Sequence, residues 1–155
     1  MIFANRALLA TGWAENVRLD IDNGRIGAIG ANATSQSGDI RVDTLLPALA
    51  NLHSHSFQRA MVGMTEYRLA GKDSFWTWRE LMYRFTKHLT PEQIEAIEAQ
   101  TFMEMQEAGY ASVGEFHYIH HQQGGAPYSD VAELSSRICA ASAATGIGLT
   151  HLPVL

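Results

Sequence analysis

From Thr44 onward the chain alternates short apolar runs with longer stretches of helical period, and this alternation limits its fold more than any other feature of its 155 residues. The run Leu45-Leu46-Pro47-Ala48-Leu49-Ala50-Asn51-Leu52 predicts a strand buried on both faces. A loop through Gly63, Glu66, Arg68 and Gly71-Lys72-Asp73 leads to Ser74, which can cap a helix. In that helix Phe75, Trp78, Leu81, Met82 and Phe85 recur at three- and four-residue steps and read as a core stripe. Thr90-Pro91-Glu92-Gln93 combines a capping box with proline at the first helical position. Ile94, Ile97, Phe102 and Met105 supply that helix's apolar positions, and Gly109 can end it. Residues 110–116 predict a second strand. Beyond Gly124-Gly125-Ala126-Pro127, Asp130 and Glu133 open a third helix with the stripe Val131, Leu134, Ile138 and Ala141, stopped at Gly146. Residues 147–152 predict a third strand. Strand, helix, strand, helix, strand is the pattern of a parallel α/β sheet with crossover helices.

Residues 1–43 read differently. Val17, Leu19 and Ile21 alternate with Arg18, Asp20 and Asp22, the pattern of a half-buried strand. Asn23-Gly24 is the dipeptide favoured in a type I′ hairpin turn, and residues 25–29 return as the partner strand. Residues 30–39 are small and polar and predict a loop. The expected organisation is therefore a small antiparallel β module over 1–43, followed over 44–155 by the first strand–helix units of an α/β barrel. A closed eight-unit barrel takes about 250 residues, and this chain has room for barely three units. The expectation is the N-terminal part of a larger enzyme, whether a truncated product, a gene fragment or an excised segment.

Composition excludes several classes of function. Net charge is −5, and the lysines and arginines are scattered, so there is no basic footprint for nucleic acid. No apolar stretch approaches the ~18 residues of a membrane helix. The residues Met1-Ile2-Phe3-Ala4-Asn5-Arg6 do not make a signal peptide. The single cysteine, Cys139, permits no intrachain disulfide and reads as an inert packed thiol in a cytoplasmic protein.

The predicted strand 45–52 runs directly into His53-Ser54-His55. Residues i and i+2 of a strand point the same way, so both imidazoles can reach one ion at about 2.0–2.1 Å. An isolated His-x-His is ordinarily surface or satisfied core. At the end of a buried strand, however, an unsatisfied polar group costs on the order of 1–3 kcal/mol, and a shared ligand removes that cost. A catalytic zinc needs at least one further protein ligand and an open position. The pair therefore reads as half of a hydrolytic metal site. Barrel active sites lie at the C-terminal ends of the strands, which brings the end of the second strand, His117 and Tyr118, to the same mouth, where alternation lets only one of the two face in. No carboxylate or cysteine partners His117, His120 and His121 locally, so they are not read as a second metal site. His88 and His151 read as structural or solvent-facing, and Glu115 as a group that can orient a ligand histidine.

Residues 46–61, from Leu46-Pro47-Ala48 through His53-Ser54-His55 to Phe57-Gln58-Arg59-Ala60, resemble the first-strand motif of the metal-dependent amidohydrolase superfamily. With Ser74-Phe75-Trp76-Thr77-Trp78-Arg79 and Glu115-Phe116-His117-Tyr118, the chain is most similar to the formimidoylglutamate deiminases. One departure is Ala48, where the superfamily often has glycine. The resemblance implies a single divalent ion, usually zinc, held by His53 and His55 together with two histidines and an aspartate beyond Leu155, where the acid–base groups would also lie. It implies hydrolysis of N-formimino-L-glutamate to N-formyl-L-glutamate and ammonia, in histidine degradation. It also places substrate-contacting positions at Gln58, Arg79 and Tyr118. Their residue types suit a dicarboxylate, because guanidinium offers a bidentate fork and amide and phenol offer hydrogen bonds. Read without the resemblance, Arg79 is a solvated helix arginine, Gln58 a loop glutamine and Tyr118 rim packing. The expected partner is this small molecule, with no nucleic acid or membrane, and a homodimer for the full-length enzyme. Two other readings stand beside this one: a sister deaminase acting on a nucleobase or triazine, and a fragment without activity of its own.

Overall fold

The chain opens with three antiparallel strands, β1 (Ile2–Leu9), β2 (Gly12–Asp22) and β3 (Arg25–Gly30). Asn23 and Gly24 take φ of 48° and 74°, the left-handed pair that a type I′ turn requires, and Asp22 lies opposite Arg25. A fourth strand, β4 (Ile40–Leu45), pairs parallel to β1, giving the order β3-β2-β1-β4. The sheet is therefore mixed rather than antiparallel throughout. Residues 31–39 carry the chain back to the start of β1, where the Ile40 N–H donates to the Met1 carbonyl at 3.0 Å, so β4 runs alongside β1 in the same direction. The end of that loop is pinned by Arg18, whose guanidinium grips the 2% exposed Asp39 carboxylate at 2.9 Å. This fork and the Gln36 N–H hold Asp39 down at about 2. Ala4, Ala7, Val17 and Leu19 form the core of the unit.

The structure, a computed structural model, describes residues 1–64 and 75–154. They divide into two compact units, Met1–Ala48 and a second from Leu49 onward. The proposed Ser74 cap, with Glu66, Arg68, Gly71, Lys72 and Asp73, lies outside the described residues. The apolar run 45–52 is not one strand. It breaks at 46–48, where Pro47 lacks an N–H for a ladder and holds Leu46 extended, and β5 (Leu49–Ser54) begins afresh. Nor is it buried on both faces: Leu49 is 58% and Leu52 84% exposed.

A short 3₁₀ helix (Ser56–Met61) follows β5. The remaining elements are α1 (Phe75–Thr86), α2 (Pro91–Glu107), β6 (Tyr110–His117), α3 (Glu133–Thr145) and β7 (Gly148–Pro153). The strands β5, β6 and β7 form a parallel sheet in that order, so the unit is mixed α/β. Gly114 lets β5 and β6 approach closely, since a Cβ there would stand 3.1 Å from the Leu52 carbonyl oxygen.

Helix α2 starts as its sequence dictates. The Thr90 hydroxyl accepts the Gln93 N–H, the Gln93 side chain accepts the Thr90 N–H, and Pro91 follows the cap. Val113 packs with Ile94, Phe102, Leu134, Ile138 and Ala141 in the core between sheet and helices, each large side chain contributing about 1.5–3 kcal/mol of burial. Arg137 ties α3 to α2 through Glu92 and Glu95 and also bonds Glu133 on its own helix. Three expectations fail on helix rotation and register. Val131 is 77% exposed because it precedes α3 rather than joining its stripe. Cys139 is exposed, one residue and about 100° beyond the buried Ile138. Of the aromatic stripe on α1 only Met82 is fully buried, and Phe75 is 63% exposed.

Candidate metal centre and adjoining cleft

Strand parity decides which face each side chain of β6 takes. Val113, Glu115 and His117 are buried on the helix side, and the alternate residues Gly114 and Phe116 belong to the opposite face. At the end of β5, His53 and His55 converge on that open face. Their Nε2 atoms lie 2.8 Å apart and their rings stand at 84°. Two nitrogens that share an ion at about 2.0–2.1 Å must lie within about 4.2 Å of each other, so the pair meets that requirement. The Nδ1–H of His55 donates to the Phe116 carbonyl at 2.9 Å, which leaves its Nε2 as the lone-pair nitrogen. The donor set thus fits a divalent ion of the zinc class as two ligands. Among the described residues no group of three or more His, Cys, Asp or Glu side chains could hold a metal.

Beside His55 a cleft of about 380 Å³ is lined by Gln58, Phe75, Trp78, Arg79, Met82, Tyr83 and Tyr118. The three substrate-contacting candidates therefore share one cavity with a candidate ligand. The Gln58 amide donates to the Tyr118 hydroxyl at 2.7 Å, and that hydroxyl donates weakly to the Met82 sulfur at 3.5 Å. Burial pushes the Tyr118 phenol up, with the Gln58 bond offsetting a part, so it is a neutral donor at ordinary pH. Exchange of the sulfur for a carboxylate oxygen would give it a stronger acceptor. Arg79 sits over the rings of Trp76 at 5.6 Å and Tyr83 at 5.1 Å, and its Nε donates to the Tyr83 hydroxyl at 2.9 Å. These contacts orient its planar fork. Trp78, Met82 and Tyr83 were not read from the sequence as cleft residues. The available signal was Arg79 itself, a charge set within an aromatic stripe that a pure core would exclude.

His117 does not reach this mouth. It is 3% exposed on the helix side, its ring near those of His120 (4.8 Å) and His151 (5.3 Å), and its Nε2 has no hydrogen-bond partner among the described residues. Burial lowers its pKa to about 3, helped by the two neighbouring histidines. Tyr118, the next residue, takes the opposite side and lines the cleft. His151 is half-buried against the Ser135 hydroxyl, and His88 is exposed.

Two carboxyls lie behind the pair. Glu115, 1% exposed, accepts from the Ser56 N–H at 2.7 Å and from its hydroxyl at 2.6 Å. Glu98 on α2 is equally buried, and burial together with the Glu115 charge pushes it up to about 9. It is neutral at pH 7 and adds no charge beside Glu115.

Residues 1–43 match the family described as formimidoylglutamate deiminase HutF, N-terminal domain. Over 99% of its length the chain is 54% identical to formimidoylglutamate deiminase of Pseudomonas aeruginosa, of which it covers 34%. An amidohydrolase from Brucella melitensis superposes on 97% of the chain with a TM-score of 0.92 and 47% identity, again over 34% of that protein. A mutant atrazine chlorohydrolase from Arthrobacter aurescens, complexed with zinc and atraton, superposes on 97% of the chain at a TM-score of 0.71, over 35% of its own length. At 20% identity that likeness shows the fold alone. The chain spans about a third of the length of these relatives. From end to end it is similar to formimidoylglutamate deiminase and to a solved amidohydrolase, as its own motifs implied.

Proposed function

We propose that this chain is the N-terminal portion of a metal-dependent deiminase that converts N-formimino-L-glutamate and water to N-formyl-L-glutamate and ammonia. The β module takes in β1 to β4, past the expected boundary at 43 because β4 runs on to Leu45 beside β1, and the first units of a (β/α)8 barrel follow from β5. The observation that carries the reading is a convergence: His55, whose Nε2 is paired with that of His53, lines the cleft that holds Gln58, Arg79 and Tyr118. The 54% identity to a deiminase over nearly the whole chain supports it.

His53 and His55 would hold the ion, with the remaining ligands and the acid–base groups beyond Leu155. When bound, a zinc-class ion supplies Lewis acidity and lowers the pKa of water from 15.7 towards about 7. The residues of this chain bind and orient. Arg79 takes a substrate carboxylate in its fork, and Tyr118 and Gln58 fix the opposite end by hydrogen bonds. Trp78 and Met82 exclude water along the cleft wall. The setting proposed is a cytoplasmic homodimer acting on a small molecule.

The test is ammonia release by the full-length protein from N-formimino-L-glutamate, set against guanine and cytosine. Preference for the dicarboxylate is the expected result, and preference for a flat heterocycle would favour the sister-deaminase reading. With no third candidate ligand beside the histidine pair among the described residues, the 155-residue chain alone is expected to show no turnover.

A further inference from the structure

We infer that the dipeptide Glu115-Phe116 of β6 is the positioning element for the His53/His55 pair, gripping it from both faces of the strand. The inference rests on the metal-site reading above and extends it to residues with no direct contact to an ion.

On the helix side, the Glu115 carboxylate takes both the N–H and the hydroxyl of Ser56, the residue directly after His55. Ser54, directly before His55, lies with its hydroxyl 2.9 Å from that of Ser56. Since Ser56 donates to Glu115, Ser54 donates to Ser56, and the two neighbours of His55 are tied through one chain to the Glu115 carboxylate, with Glu98 also bonded to Ser56. On the open side, the Phe116 carbonyl takes the His55 Nδ1–H. The Phe116 ring stacks on His53 at 5.9 Å and 7°, and meets His55 edge-on at 5.4 Å and 89°. One ring therefore sets both imidazoles, and their near-perpendicular arrangement follows from it. Adjacent strand residues point to opposite faces, so a single dipeptide can hold backbone and rings at once. A buried carboxylate with no cation among its described partners is costly unless its acceptors are filled, and here both oxygens are. The neutral Glu98 beside it adds no second charge.

The test uses the full-length protein with zinc alone as the probe. Affinity is read by competition with a chromophoric chelator, site geometry by the visible spectrum of the cobalt form, and folding by thermal unfolding. His53→Ala and His55→Ala are expected to lose the site. Glu115→Gln and Phe116→Leu are expected to weaken zinc by about 10- to 100-fold and to shift the cobalt bands. His117→Gln, equally buried on the same strand, is expected to leave both unchanged whatever it does to stability. Wild-type zinc affinity and an unshifted cobalt spectrum in Glu115→Gln and Phe116→Leu would overturn the inference while leaving the histidine site standing. Should Glu115→Gln fail to fold, Ser56→Ala removes one bond of the grip, and wild-type affinity and spectrum there overturn it equally. Retention of zinc by both histidine variants would instead remove the site itself, and the inference with it.

Discussion

Two groups of histidines sit at the same end of the same sheet, and they do opposite things. His53 and His55 lie on the open face with nitrogens 2.8 Å apart, one ring locked by a carbonyl. His117, with His120 and His151 near it, lies on the helix side, where burial drives it neutral and its Nε2 has no partner among the described residues. The difference is one of strand parity. A spacing of two residues puts His53 and His55 on one face. His117 shares its face with Val113 and Glu115, not with Phe116 or the cleft. Histidine count and proximity in sequence do not make a ligand set; the face does.

The largest effect should come from breaking that contrast directly. In the full-length protein His53→Ala or His55→Ala should abolish ammonia release and reduce bound zinc to background, whereas His117→Gln should keep zinc at wild-type stoichiometry. Loss of zinc in His117→Gln alone would invert the comparison. Next in size is Arg79→Met, which removes a charge-assisted contact. A loss of about 1.5–3 kcal/mol corresponds to a KM increase of about 10- to 100-fold, with kcat much less changed. An analogue lacking one carboxylate should show a smaller difference between wild type and variant.

Thermal unfolding against pH sharpens the contrast further. His117 is depressed to about 3 from 6.5, so its contribution is present above pH 6.5 and is lost as pH falls towards 3. Glu98 is raised to about 9 from 4.5, so its contribution is present below pH 4.5 and is lost as pH rises towards 9. Each proton limits the slope to about 1.4 kcal/mol per pH unit. His117→Gln should flatten the acid limb and Glu98→Gln the alkaline limb. The smallest effect expected is that of Tyr118→Phe. It removes one neutral hydrogen-bonding group and should raise KM by a few-fold to tenfold, consistent with about 0.5–1.5 kcal/mol.

What the residues disclosed in advance was mostly local. The Thr90-Pro91-Gln93 cap and the Asn23-Gly24 turn are written within four residues, and the structure has both. So is the His53-Ser54-His55 parity. What stayed hidden depends on partners distant in sequence. The break in the Leu45–Leu52 run reflects a change of sheet at Pro47, and Leu52 is 84% exposed beside a shift of register between Asn51 and Ser54. Phe75, Trp78 and Met82 have the period of a core stripe, yet they border a cleft that also holds Arg79. The parallel pairing of β4 with β1 is likewise invisible in either strand alone.

The central claim is that two imidazoles on one face share one ion. A zinc-edge anomalous diffraction map of the full-length protein tests it most directly. The predicted result is a single peak at about 2.0–2.1 Å from Nε2 of both His53 and His55. A peak bound by only one of them, or lodged instead among His117, His120 and His151, would contradict it.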